Sequence, residues 1–199
     1  MLYPAIANEL LERANHDLAV RQQLLDAGEL SGGYNSDMEA VHLSNARWLQ
    51  TIISQIGWPA QEQVGEAASQ AAWLIVQHAI SLPDFMKQAL ALMNAQKQTR
   101  TIDPVNLAFL SDRIAMYTDR PQSYGTQFVS DEQGRLVPYQ LDGSLDQVNQ
   151  RRRQLGLNTV AERMAQLTVE QNKTPTAADR RAERESYDAW RKRVGWITA

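Results

Sequence analysis

Apolar positions recur at helical spacing along most of this chain. From Ile6 to Leu25 the residues Ile6, Leu10, Leu11, Leu18, Leu24 and Leu25 are separated by charged and polar ones, which predicts a first amphipathic helix ending near Gly28. GELSGGYNSD then reads as a loop, because its Gly, Ser and Asn content suits positive φ angles. A second helix is predicted from Met38 to Ile56, with Val41, Trp48, Leu49, Ile52, Ile53 and Ile56 on its apolar face and Gly57 stopping it. After the rigid GWP turn at 57–59, VGEAASQAAWLIVQHA predicts a third helix from Val64 to Ala79. Its second half is small or apolar nearly all round, so it is expected at the centre of the fold. Leu82-Pro83-Asp84 predicts a fourth helix to Gln96, and Asp103-Pro104 opens a fifth through Leu107, Leu110 and Ile114.

Beyond Tyr117 the periodicity changes. Two short alternating runs flank a DEQG turn and predict a β-hairpin pairing Gln127 to Val129 with Leu136 to Gln140. Ser144 to Leu167 returns to helix, with an interruption expected at Gly156, and QNKTPT at 171–176 reads as a linker. Thr176 and Asp179 have capping-box spacing for a last helix over 177–194. The expected fold is therefore mainly α, a bundle of six to seven helices with one small hairpin near 127–140. The expected organisation is a main domain over 1–168, a linker over 169–176, and a C-terminal helix over 177–199 packing on the main domain.

Composition narrows the chemistry. With 199 residues, 43% of them apolar, the chain can close a substantial core. Its formal charge of −3 provides no global attraction for nucleic acid or anionic lipid, so neither is an expected partner. There are no cysteines, which excludes disulfides, thiolate nucleophiles and Cys-ligated metals. No basic start followed by an apolar stretch marks a secretory leader, and the longest apolar run is far short of a membrane span of ~20 residues. A cytoplasmic location is expected.

Gln77 and His78 are the leading candidates for a site, since Trp73, Leu74, Ile75 and Val76 beside them argue for burial and buried polar groups need partners. Histidine titrates near neutrality, so His78 is a candidate general acid or base. Trp73 shares a helix face with Gln77, and Leu74 with His78. The competing reading is a core histidine satisfied by a backbone carbonyl or by Asp112. Asp112 and Arg113 diverge by about 100° on their helix, so each needs its own partner. Asp112 is a candidate to orient His78, against an ordinary interhelical salt bridge. Asp17 and Arg21, one turn apart, suit an intrahelical ion pair.

PQSYGTQ at 121–127 concentrates Gln122, Tyr124, Thr126 and Gln127 around a glycine. It reads equally as a ligand loop or as a segment satisfying its own backbone. The histidines His16, His42 and His78 are read as belonging to no HxxxH, HExxH or ExxH pattern, so no metal site and no cofactor are predicted. Walker, GxGxxG and GxSxG patterns are missing too. The run Arg151, Arg152, Arg153 fans around a helix, which favours a solvated or salt-bridged face over a phosphate contact.

GWP at 57–59, VG at 64–65, AAWLIVQHA at 71–79, DR at 112–113 and PQSYGTQF at 121–128, in this order, resemble a widespread bacterial family of uncharacterised proteins. The resemblance covers about 8–165 and the terminal YDAWRKRVGW. It implies a mainly helical cytosolic domain and supplies no activity, substrate or catalytic residue. Relatives more often carry an acidic residue at position 42, which weighs against His42 as a catalytic group and leaves Asn45 as a polar partner.

Two functional expectations follow. One is a metal-independent small-molecule enzyme, a hydrolase or group transferase, in a pocket between the central helix and the YGTQ loop. In it His78 is the acid-base group, Asp112 orients it, and Trp73, Gln77, Arg113, Gln122, Tyr124, Thr126 and Gln127 bind substrate. Tyr124 or an amide near Gly125 would stabilise developing negative charge. The alternative is a noncatalytic ligand- or protein-binding module in which the same residues form a polar core lock and Trp190 and Trp196 anchor a partner.

Overall fold

Proline and asparagine set the starts of the long helices. In the computed structural model, which describes residues 2–30, 34–96, 102–170 and 177–198, three helices open on proline. They are α1 (Pro4–Asp26), α5 (Pro83–Gln96) and α6 (Pro104–Tyr117). A proline there gives up an N–H that has no helical acceptor and already holds the required φ. α2 (Ser36–Ile56) opens instead on Asn35, whose side-chain oxygen accepts from the backbone N–H of Asp37 at 2.8 Å and of Met38 at 3.2 Å.

The helix expected over Val64 to Ala79 is α4 (Glu66–His78), and a short helix α3 (Gln61–Val64) precedes it and takes Val64. Gly65 divides them at φ +87°, a left-handed angle that glycine adopts without strain. The hairpin pairs β1 (Phe128–Ser130) antiparallel with β2 (Leu136–Pro138), Val129 facing Val137. Asp131 closes its turn by accepting from the N–H groups of Gln133 and Arg135. The interruption expected at Gly156 separates α7 (Leu145–Gln154) from α8 (Val160–Glu170), and α9 (Ala177–Val194) ends before Gly195. The fold is thus mainly helical with one small hairpin, nine helices among the described residues. Of the linker expected over 169–176, residues 169 and 170 end α8, and 171–176, with the Thr176 capping residue, lie outside the described residues.

The chain forms two compact units, Met1–Asp103 and Pro104–Ala199. In the first, α1 lies along α4 and α2 packs against both. Leu10, Leu49, Val64, Ala72, Val76, Met86 and Ala89 are completely buried there. Each large side chain so enclosed contributes about 1.5–3 kcal/mol of hydrophobic stabilisation relative to exposure. In the second unit, α6 supplies the buried Leu110, Ile114 and Tyr117, and α7 and α8 supply Val148 and Val160. Trp196 packs on Tyr117 with ring centroids 4.9 Å apart, and Trp190 meets the same ring at 5.6 Å. Arg191 ties the end of α9 to the carbonyl of Tyr117 and the carboxylate of Asp119. Both tryptophans proposed as partner anchors are therefore engaged within their own unit. No helix of the described residues is long and apolar enough to cross a membrane.

Candidate functional site

The apolar stripe of α1 is interrupted by a carboxylate. Ala7, Leu10, Ala14 and Leu24 are buried along one face, and Asp17 stands in phase with them at 1% exposure. α2 does the same with His42 and Asn45, buried in phase with Met38, Ala46 and Leu49. Packing these two stripes toward α4 carries the polar residues inward with the apolar ones. His78, the last residue of α4, completes the set from a side chain 22% exposed.

The three residues converge. His78 Nδ1 is hydrogen-bonded to Asp17 Oδ2 at 2.9 Å across 61 positions of sequence. His42 Nε2 lies 3.3 Å from the same oxygen but out of hydrogen-bond alignment. The two imidazoles are 4.8 Å apart between centroids and tilted by 44°. Behind His42, the Tyr34 hydroxyl meets Nδ1 at 2.5 Å. Burial by itself raises the Asp17 pKa, but His42 and His78 outweigh it and hold the carboxyl well below the usual range, so Asp17 stays ionised. An ionised Asp17 can only accept, so Nδ1 of His78 is the donor of their bond and Nε2 is the nitrogen turned away from the carboxylate.

These positions correct two expectations. Asp17 does not pair with Arg21, which is exposed; it turns inward to the histidines. The carboxylate that orients His78 is that of Asp17. Asp112, fully buried in the second unit, accepts instead from the backbone N–H groups of Ser123 at 2.9 Å, Tyr124 at 3.1 Å and Thr126 at 3.0 Å. Burial pushes the Asp112 carboxyl up, against the downward pull of those donors. His42, set aside on the sequence, belongs to the cluster. Asp17, His42 and His78 each offer one ligand atom, all within 4.8 Å of one another, so the set is also a potential metal site. Contrary to expectation, Glu39 and His42 do have ExxH spacing, although Glu39 is not one of the three. Glu39 itself accepts a hydrogen bond from the Ser81 hydroxyl.

The other candidates divide between the units. Gln77 is buried in α4 and Trp73 is half-buried one turn earlier. In the second unit the side chain of Gln122, fully buried, is spent on the backbone. Its amide donates to the carbonyls of Gln127 at 2.8 Å and Tyr139 at 3.0 Å, and its oxygen accepts from the Gln127 N–H at 2.9 Å. The carbonyls of Tyr124 and Gly125 accept from Arg152, which also reaches Asn158 and is 2% exposed. Arg151 donates to the carbonyls of Ser123 and Asp142. Within the arginine run, Arg152 is thus buried against the YGTQ loop and Arg151 is half-buried beside it, while Arg153 is exposed. Arg113, Thr126 and Gln127 do come together, along an open groove of about 420 Å3 that Phe109, Phe128 and Arg163 also line.

A family model described as a family of unknown function, DUF6624, matches residues 4–172. The chain belongs to this family. No curated protein and no solved structure gives a significant match. The family region holds Asp17, His42 and His78 as well as the YGTQ loop and both arginines that bind it.

Proposed function

We propose that the protein is a small-molecule enzyme, a hydrolase or group transferase, with the Asp17–His42–His78 cluster of the first unit as its reaction centre. The observation that carries this reading is the 2.9 Å bond from His78 Nδ1 to a carboxylate that is 1% exposed, on an imidazole that still reaches solvent. A buried carboxylate fixes the ring orientation and stabilises the imidazolium formed when Nε2 takes a proton from water or a substrate hydroxyl. The oxygen so activated attacks the electrophilic centre, and the protonated ring returns the proton to the leaving group. His42, 4.8 Å from His78, borders the same carboxylate.

The test is turnover of generic esters, amides and phosphate esters by the full chain, beside a metabolite-library screen followed by NMR chemical shifts. His78→Gln should lower turnover by about 100- to 10,000-fold, the usual contribution of a general base, while circular dichroism stays unchanged. Equal turnover in both proteins, or no turnover and no shifts at His78 with any compound, would sink the reading. A noncatalytic role is favoured for the YGTQ loop by a separate observation. Its amides and carbonyls are taken up by Asp112, Gln122 and Arg152, as a polar core lock requires.

A further inference from the structure

We infer that Asp17, His42 and His78 bind one divalent transition-metal ion of the zinc or ferrous class. The donor set is two imidazole nitrogens and one carboxylate oxygen, which suits such ions better than magnesium or calcium, whose ligands are oxygens. Each donor comes from a different helix of the first unit, α1, α2 and α4, so the packing core itself holds the geometry. Donors sharing an ion at bond lengths of about 2.0–2.2 Å lie about 3–4 Å apart. The three ligand atoms already stand within 4.8 Å of one another, and small side-chain rotations close the remainder.

The independent observation is a pair of unpartnered buried atoms. Among the described residues, Asp17 Oδ1 and His42 Nε2 have no hydrogen-bond partner, in residues only 1% and 8% exposed. Polar atoms enclosed in this way are destabilising unless something binds them, and His42 Nε2, 3.3 Å from Asp17 Oδ2, is a nitrogen that a cation shared with the carboxylate satisfies. Tyr34 adds the outer partner found behind metal-bound histidines. Its hydroxyl at Nδ1 of His42 fixes the ring so that Nε2 faces Asp17.

On loading, Nδ1 of His78 exchanges its hydrogen bond to Asp17 for the ion. The Nδ1 proton passes through solvent to Nε2, so the ring remains neutral and no net proton is released. Three protein ligands leave a position for water on the side where His78 reaches solvent. This consequence rests on the cluster being the reaction centre: in the loaded protein the ion-bound water, acidified by the metal, becomes the nucleophile and His78 holds the ion, so the general-base role of His78 belongs to the ion-free cluster.

The experiment uses the untagged full chain after dialysis against EDTA. It is titrated with Zn2+ alone by calorimetry and with Co2+ alone by visible absorption, where ligand-field bands report coordination by protein donors. One ion per chain is expected. Asp17→Asn and His42→Gln should each weaken binding by at least about 100-fold, and Tyr34→Phe, which keeps the packing, by about 10- to 100-fold. His16→Gln, outside the cluster, should leave binding unchanged. No Zn2+ heat and no Co2+ bands, or binding that Tyr34→Phe and Asp17→Asn both leave intact, would overturn the inference. Turnover that persists in EDTA overturns the ion and leaves the reaction centre standing. Stoichiometric binding without turnover does the reverse.

Discussion

Replacing Asp112 by alanine takes away the acceptor of three backbone N–H groups at once, those of Ser123, Tyr124 and Thr126. A hydrogen bond to a charged group contributes about 1.5–3 kcal/mol, so three sum to about 4.5–9 kcal/mol before the cost of burying the carboxylate is subtracted. That cost is several kcal/mol for an ion in a protein interior. Its presence is visible in the upward push that burial gives the Asp112 pKa. Arg152, buried and favoured in its charged form by Asp112, loses that support as well. Subtracting the burial cost from the three hydrogen bonds leaves a net loss of about 2–5 kcal/mol expected for Asp112→Ala. Asp112→Asn keeps one acceptor oxygen and sets an NH2 group against the other donors, so about half that loss is expected. The assay is residue-resolved hydrogen exchange, reading amides 123, 124 and 126, with urea unfolding of the full chain alongside. A loss below about 1 kcal/mol in Asp112→Ala, with the three amides as protected as before, would refute the anchoring role. Unchanged protection with lost turnover would instead return Asp112 to the chemistry.

Two further outcomes are expected. Gly125→Ala should destabilise the second unit by about 1–3 kcal/mol, because φ is +62° and a Cβ would stand 3.0 Å from Val160 Cγ2 and 3.2 Å from Leu141 Cδ2; an unchanged urea midpoint would contradict it. Asn35→Ala should cost about 1 kcal/mol by exposing the first amides of α2, whereas Asn35→Ser should restore most of it, both read as shifts in the urea midpoint.

Much of the fold was legible because helix signals are local. Leu10, Leu49, Ile75 and Leu110 fall where their periodicity put them, and Pro83, Pro104 and the DEQG turn act within a few residues of themselves. The split at Gly65 was less legible, since a glycine inside an apolar run is tolerated in a helix and only the observed left-handed angle marks the break. The site was harder. His78 was visible as a polar residue in an apolar helix, but its partner was sought at Asp112 and lies at Asp17. The overlooked signal was phase: Asp17 and His42 occupy core-facing positions of their helices, where a charged or titratable side chain demands a partner.

The sequence by itself determined the mainly helical class, the hairpin and most element starts, because capping, turn chemistry and amphipathic period depend on neighbours in the chain. It also determined that no thiol takes part. Tertiary structure alone decided which polar residues meet. Asp17, His42 and His78 sit on three helices, and only the packing of α1, α2 and α4 brings one carboxylate and two imidazoles within 4.8 Å. It likewise decided that Arg151 and Arg152 bind the YGTQ loop while Arg153 faces solvent, since a helix carries three successive arginines around its axis and the neighbouring backbone determines which of them turn inward.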